Sequence, residues 1–161
     1  MELVTVAVTP PDGGNVILGQ AHFIKTVEDL AEVMAASVPP VATWGLAFNE
    51  ASGPCLVRAD GNDAELRAAA ITAAQAIGAG HLFVLVLRGV YPVALLDRVR
   101  ACPEVCSVFC ATGNPVEVIV AQTALGRGVL GVVDGASPRG VETERDVAER
   151  RALLRTLGYK R

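Results

Sequence analysis

Residues 2 to 9 and 15 to 21 are apolar and β-branched, and the turn formers of "PPDGG" separate them, which predicts two strands joined as a hairpin. From Thr26 the apolar period lengthens: Val27, Leu30, Val33 and Met34 recur at helical spacing. Thr26 is placed to cap that helix, with Asp29 three residues on, and Pro39-Pro40 end it. "VATWGLAFNE" and "PCLVR" read as strands. "DGND" then turns into a second helix capped by Asn62, with Glu65 at its third position and Leu66, Ala69, Ala70, Ala73 and Ile77 on one face. Gly78 stops it.

"HLFVLVL" is almost uninterrupted hydrocarbon, as expected of a strand covered on both faces. Pro92 opens a third helix through Val93, Leu96 and Val99, after which "EVCSVFCA", "VEVIVAQT" and "GVLGVVDG" return to strand. The chain ends in a charged helix with a narrow stripe of Val147, Leu154 and Leu157. Strands and helices alternate without a clean βα repeat and with a late hairpin. The expected fold is one α/β domain over residues 1–161, a mixed β-sheet covered by helices in three α/β/α layers.

Composition narrows the chemistry. The 161 residues are 52% hydrophobic, 19% charged and only 4% aromatic, so aliphatic side chains must build the core. A net charge of -3 with scattered Lys and Arg argues against nucleic acid. Residues 68 to 87 form an uncharged run, but Gly78 and Gly80 divide it into helix and strand, so no membrane span is expected. An early Glu and a double proline do not suit a signal peptide, and a cytoplasmic protein is expected. Cys102, Cys106 and Cys110 are spaced unlike a zinc site. Cys106 and Cys110 are expected as buried free thiols on one strand face.

Gly126, Gly128 and Gly131 spell G-x-G-x-x-G, yet strand follows them, so the dinucleotide-binding context is missing. In a hairpin such glycines bare backbone N–H groups to a phosphate, with Arg127 adding charge; ordinary turn glycines explain them equally well. "NEASG" and "ATGNP" place Glu50, Ser52 and Asn114 in loops after strands, as pocket lining or as turn chemistry. His22 leaves a strand just before a helix, where unsatisfied N–H groups favour an anion, and Lys25 adds charge. An imidazole there can hold phosphate, accept a proton or carry a phosphoryl group, or can simply bond the backbone. His81 opens a strand in a similar position, in a supporting role or in the core.

In order along the chain, "GQAHFIKTVEDL", "GLAFNEASGPCLVR", "GNDAEL", "IGAGHLFV", "VCSVFCATGNPVEVIVA", "GRGVLGVVDGASPRGVE" and "RRALLRTLGYKR" resemble the small prokaryotic proteins of the adenosine-specific kinase family. The likeness covers almost everything after residue 14. It implies an α/β domain, adenosine or adenine-nucleotide binding, and a homotrimer. Carried over by residue, it brings forward His22 and Lys25 as catalytic, with Glu50, Ser52, Asn62, Asp63, His81, Asn114, Arg127 and Asp134 lining the nucleotide site. Cys55, Cys110 and Gly113 depart from the family pattern.

The reading that follows is a phosphotransferase acting on adenosine. His22 handles phosphate as a candidate phosphohistidine, and the cofactor is ATP or another adenine nucleotide. Magnesium is a candidate ion on Glu50 or Asp63, and the partners are adenosine, AMP, ADP or ATP, with neither nucleic acid nor membrane. With no Walker lysine loop in the chain, phosphate must meet another cation or nucleophile. The alternative is a non-catalytic module that senses adenine nucleotides.

Overall fold

The computed structural model describes residues 1–161. Its strands are β1 (Glu2–Val8), β2 (Gly14–Ala21), β3 (Thr43–Asn49), β4 (Val57–Gly61), β5 (Leu82–Arg88), β6 (Val105–Thr112), β7 (Val116–Gln122) and β8 (Arg127–Asp134). Its helices are α1 (Thr26–Ser37), α2 (Ala64–Ile77), α3 (Leu96–Ala101), preceded by a 3-10 turn at Pro92–Ala94, and α4 (Glu144–Thr156).

The fold is α/β, with helices on both faces of a central five-stranded sheet ordered β4-β3-β5-β2-β6. A second sheet, β1-β7-β8, completes the layer that α2 begins. β5 lies at the centre because its alternate residues serve two cores. Leu82, Val84 and Val86 pack with Leu66, Ala70, Ala74 and Ile77 of α2 and with Val116, Val118 and Val120 of β7. Phe83, Leu85 and Leu87 pack on the other side with Val27, Leu30 and Met34 of α1 and Val99 of α3. Neighbouring strands within both sheets pair antiparallel, and one isolated parallel bridge joins Ala79 to Arg127. No helix is long and apolar enough to cross a membrane.

Several local expectations are corrected. β1 and β2 form no hairpin: β1 pairs with β7, and β2 inserts between β5 and β6. β1 is one-faced and largely exposed, whereas Val16, Ile17 and Leu18 of β2 are buried on both faces, so the two strands suit an edge and a centre. Thr26 does not cap α1 with its side chain; its hydroxyl donates to the Phe23 carbonyl at 2.6 Å, and Asp29 is drawn to Lys25. The cap of α2 is Asp63, which accepts the Leu66 N–H at 2.9 Å. Asn62 instead clips the approach to β3, accepting the Trp44 N–H at 2.8 Å and donating to the Ala42 carbonyl at 3.1 Å. Cys106 is exposed and Cys110 partly so, because β6 is an edge strand with register shifts; Cys102 is the buried thiol.

Candidate functional site

One end of the central sheet gathers the loop after β2, the β3–β4 loop and the turn from α2 into β5. The β7–β8 hairpin stands against this end through the Ala79–Arg127 bridge. Between them opens a cleft of about 790 Å³, the size of a small-molecule site, bounded by Glu50, Ala51, Gln75, Gly80, Arg127 and Gly128 among others. A side chain at Gly128 would meet no atom within 4 Å, so this glycine keeps the hairpin wall bare.

Glu50 is the charged centre of that end. Only 9% exposed, it accepts hydrogen bonds from the Ala51 N–H at 3.0 Å and the Ser52 hydroxyl at 3.1 Å, and lies 3.3 Å from Arg58. Burial pushes its carboxyl up, but the Ala51 N–H, Ser52, Arg58 and His81 outweigh burial and hold it below the usual carboxylate range. It is therefore an ionised acceptor at neutral pH.

His81 stands 3.5 Å from Glu50 through Nε2, its ring stacked on Phe48 with centroids 5.8 Å apart. Its φ of 58° is left-handed, a state that few residues other than glycine adopt and that carries strain. Two backbone bonds impose it: the His81 N–H donates to the Asn49 carbonyl at 2.7 Å, and the His81 carbonyl accepts the Ala21 N–H at 2.9 Å. Asn49 fixes the same turn with its side chain, donating to the Ala74 carbonyl at 2.8 Å and the Ala79 carbonyl at 2.9 Å.

Arg58 ties the cluster to the turn carrying His22 and Lys25 by donating to the Ile24 carbonyl at 2.7 Å. His22 is exposed on that turn; its backbone N–H binds the Glu104 carbonyl, and its imidazole has no hydrogen-bond partner within the chain. Lys25 is clamped between Asp29 and the buried Glu104, which raises its affinity for its proton, while Lys25 lowers the Asp29 carboxyl. Arg127 donates through Nη1 to the Ala76 and Ile77 carbonyls at 3.1 and 3.4 Å, capping the C-terminus of α2, and through Nε to Gln122.

The residues singled out in the sequence thus divide. Glu50 and Arg127 line the cleft, Ser52 and His81 contact Glu50, and His22 and Lys25 stand outside the lining on the turn that Arg58 joins to Glu50. Asn62 and Asp63 stand by the start of β3, away from Glu50, and Asn114 donates to Asp134 at 3.0 Å where β6 gives way to β7. Sequence reasoning missed Asn49, Arg58 and Glu104 as members. "NEASG" and "RADGND" carried a signal for the first two, whereas Glu104 falls near Lys25 only through the pairing of β2 with β6. For magnesium the donor set does not fit. Glu50 already meets Arg58, His81, Ser52 and a backbone N–H, Asp63 is a helix cap, and no three His, Cys, Asp or Glu side chains cluster.

The architecture is that of a two-sheet α/β protein with an open cleft where strand ends and loops converge. The family model for adenosine specific kinase matches residues 6–160, and the chain belongs to that family. It superposes on the crystal structure of the PH1918 protein from Pyrococcus horikoshii OT3 with a TM-score of 0.93 and 42% identity, over 99% of this chain and 98% of that one. No curated protein matches its sequence significantly.

Proposed function

We propose that the protein transfers a phosphoryl group from ATP or another adenine nucleotide to adenosine, which lies in the cleft beside Glu50. The observation that carries this reading is a buried carboxylate kept ionised at the wall of a cleft of about 790 Å³, next to an imidazole held in a strained backbone conformation. Glu50 accepts a ribose hydroxyl, and His81 and Ser52 orient that carboxylate. His22, unpartnered on the adjoining turn, is the phosphoryl carrier. A ring nitrogen of His22 attacks the terminal phosphorus of ATP through its lone pair, the bond to the bridging oxygen breaks and the nucleoside diphosphate leaves. The adenosine hydroxyl then displaces the nitrogen, and its proton passes to solvent or to the freed imidazole.

The same proposal includes cytoplasmic residence and a homotrimer, whose contacts would cover exposed apolar side chains such as Leu3, Leu130 and Leu153. Sedimentation tests the trimer.

A second reading, a nucleotide sensor without transfer, is favoured by one observation: Lys25, Arg58 and Arg127 all have protein partners, leaving few free cations for a transition state. Incubation with terminally labelled ATP, with and without adenosine, separates the two. Transfer predicts an acid-labile protein label lost in His22→Ala, and AMP formation reduced roughly a hundredfold or more in Glu50→Gln. Saturable binding with neither label nor AMP establishes the sensor and rejects the transferase.

A further inference from the structure

At the opposite end of the central sheet, where β2 begins and β6 ends, lies a separate hollow of about 470 Å³. Both tyrosines of the chain meet there: Tyr91, ahead of the 3-10 turn, and Tyr159, beyond α4, stand edge to face with centroids 6.0 Å apart and planes at 68°. Each remains more than two-fifths exposed, and neither phenol has a hydrogen-bond partner within the chain. Pro92, Leu96 and Leu157 add an apolar floor. Such a corner accepts the face of one ring and the edge of another, the arrangement that aromatic groups prefer.

Asp97 and Thr112 also line the hollow, and two further polar side chains, Asn15 and Arg100, give it its recognition groups. Asn15 lines the hollow with an amide that bonds no other group of the chain, whereas its neighbour Asn114 is engaged by Thr112 and Asp134. Gly113 leaves that amide its room, since a methyl there would come within 3.2 Å of the Asn15 Oδ1. An unpaired amide offers one donor face and one acceptor face, matching the edge of a nitrogen heterocycle. Arg100 is the cation. Its nearest carboxylate, the fully exposed Asp97, is 3.9 Å away, too far for a hydrogen bond. Across the same C-terminal turn, Arg151, Arg155 and Lys160, beside Arg150 already paired with Glu142, line a second hollow of about 310 Å³ and extend the positive field.

We propose that this hollow is a second small-molecule site, distinct from the cleft, for a purine nucleoside monophosphate. The base lies in the tyrosine corner with its edge on Asn15, and the phosphate is on Arg100. Because Leu157 and Tyr159 form one wall, the ligand pins the C-terminal arm to the body. The inference is independent of phosphoryl transfer in the cleft.

The test is calorimetric titration of the full chain with AMP in a Glu50→Gln background, which removes the carboxylate of the cleft and leaves this hollow untouched. AMP still binds there, Tyr159→Ala and Asn15→Ala each weaken it by roughly tenfold or more, and Arg100→Ala abolishes the advantage of AMP over adenosine. AMP also slows hydrogen exchange in residues 144–160. Binding that Tyr159→Ala and Asn15→Ala leave unchanged overturns the proposal, as does the loss of all binding in Glu50→Gln alone. A change of sedimentation in Tyr159→Ala without a change in AMP affinity also overturns it, since the hollow would then seat a second copy of the chain.

Discussion

Asn49→Ala tests how the cleft is held in shape. The Asn49 amide spans from the last turn of α2 to the turn before β5, through bonds of 2.8 Å to the Ala74 carbonyl and 2.9 Å to the Ala79 carbonyl. After truncation the Ala74 carbonyl keeps the Gly78 N–H at 2.9 Å, but the Ala79 carbonyl loses the bond in a buried setting. Losing two hydrogen bonds at about 1 kcal/mol each and stranding one carbonyl at about 1–3 kcal/mol is partly offset, because the Asn49 Oδ1 is itself buried without a partner. The expected net loss is about 2 kcal/mol, or roughly 4–8 °C in Tm for a chain of this size. Asn49→Asp keeps the shape but sets a carboxylate against two carbonyl oxygens, so it must be worse than alanine. Urea unfolding followed by Trp44, the single tryptophan and buried on the same strand, measures both. A loss below about 0.5 kcal/mol for Asn49→Ala, or an aspartate milder than the alanine, refutes the reasoning.

Gly45→Ala would drive a methyl into the backbone of Leu66 and Arg67, and overpacking of this kind costs about 1–3 kcal/mol, read as a lowered urea midpoint. Asp63→Ala removes the cap of α2 and should cost about 1 kcal/mol in the same assay. Because folding lowers the Glu50 carboxyl below its ordinary 4.5, the stability it contributes is complete above that value and drains away as pH falls through the folded one. Glu50→Gln should therefore flatten the acid limb of Tm against pH. Burial pushes the Cys110 thiol up to about 11 and also raises Cys102, so iodoacetamide near neutral pH should alkylate the exposed Cys55 and Cys106 first, as peptide mapping will show.

How far the fold could be read beforehand depended on where each residue's partner lay. The unbroken hydrocarbon of "HLFVLVL" predicts a strand buried on both faces, and β5 is at the centre of the sheet. Gly78 ends α2 in the left-handed conformation its type favours, a signal contained in one residue. Pairing is another matter. "PPDGG" looks like a hairpin turn, yet the partners of β1 and β2 lie roughly sixty to one hundred and twenty residues onward in β7, β5 and β6, and local pattern carries no information at that separation. The cap misplaced by one residue at Asn62 has a similar cause, since its side chain answers to Ala42 and Trp44. At the site, types and loops were visible, but the Lys25–Glu104 contact arises only when β2 pairs with β6, and the strain at His81 only when β3, β5 and β2 lie side by side.

The C-terminal helix α4 has a complete capping box from Thr143 and Asp146 and ion pairs from Arg145 to Glu149 and Arg150 to Glu142, yet buries none of its 13 residues. A helix of that length with no apolar face under cover is barely stable in water. Its helicity should fade on gentle warming, well before the sheets open, leaving a shallow ellipticity slope ahead of the main transition. Whatever comes to rest upon the arm will announce itself by steepening that slope into a shared melt.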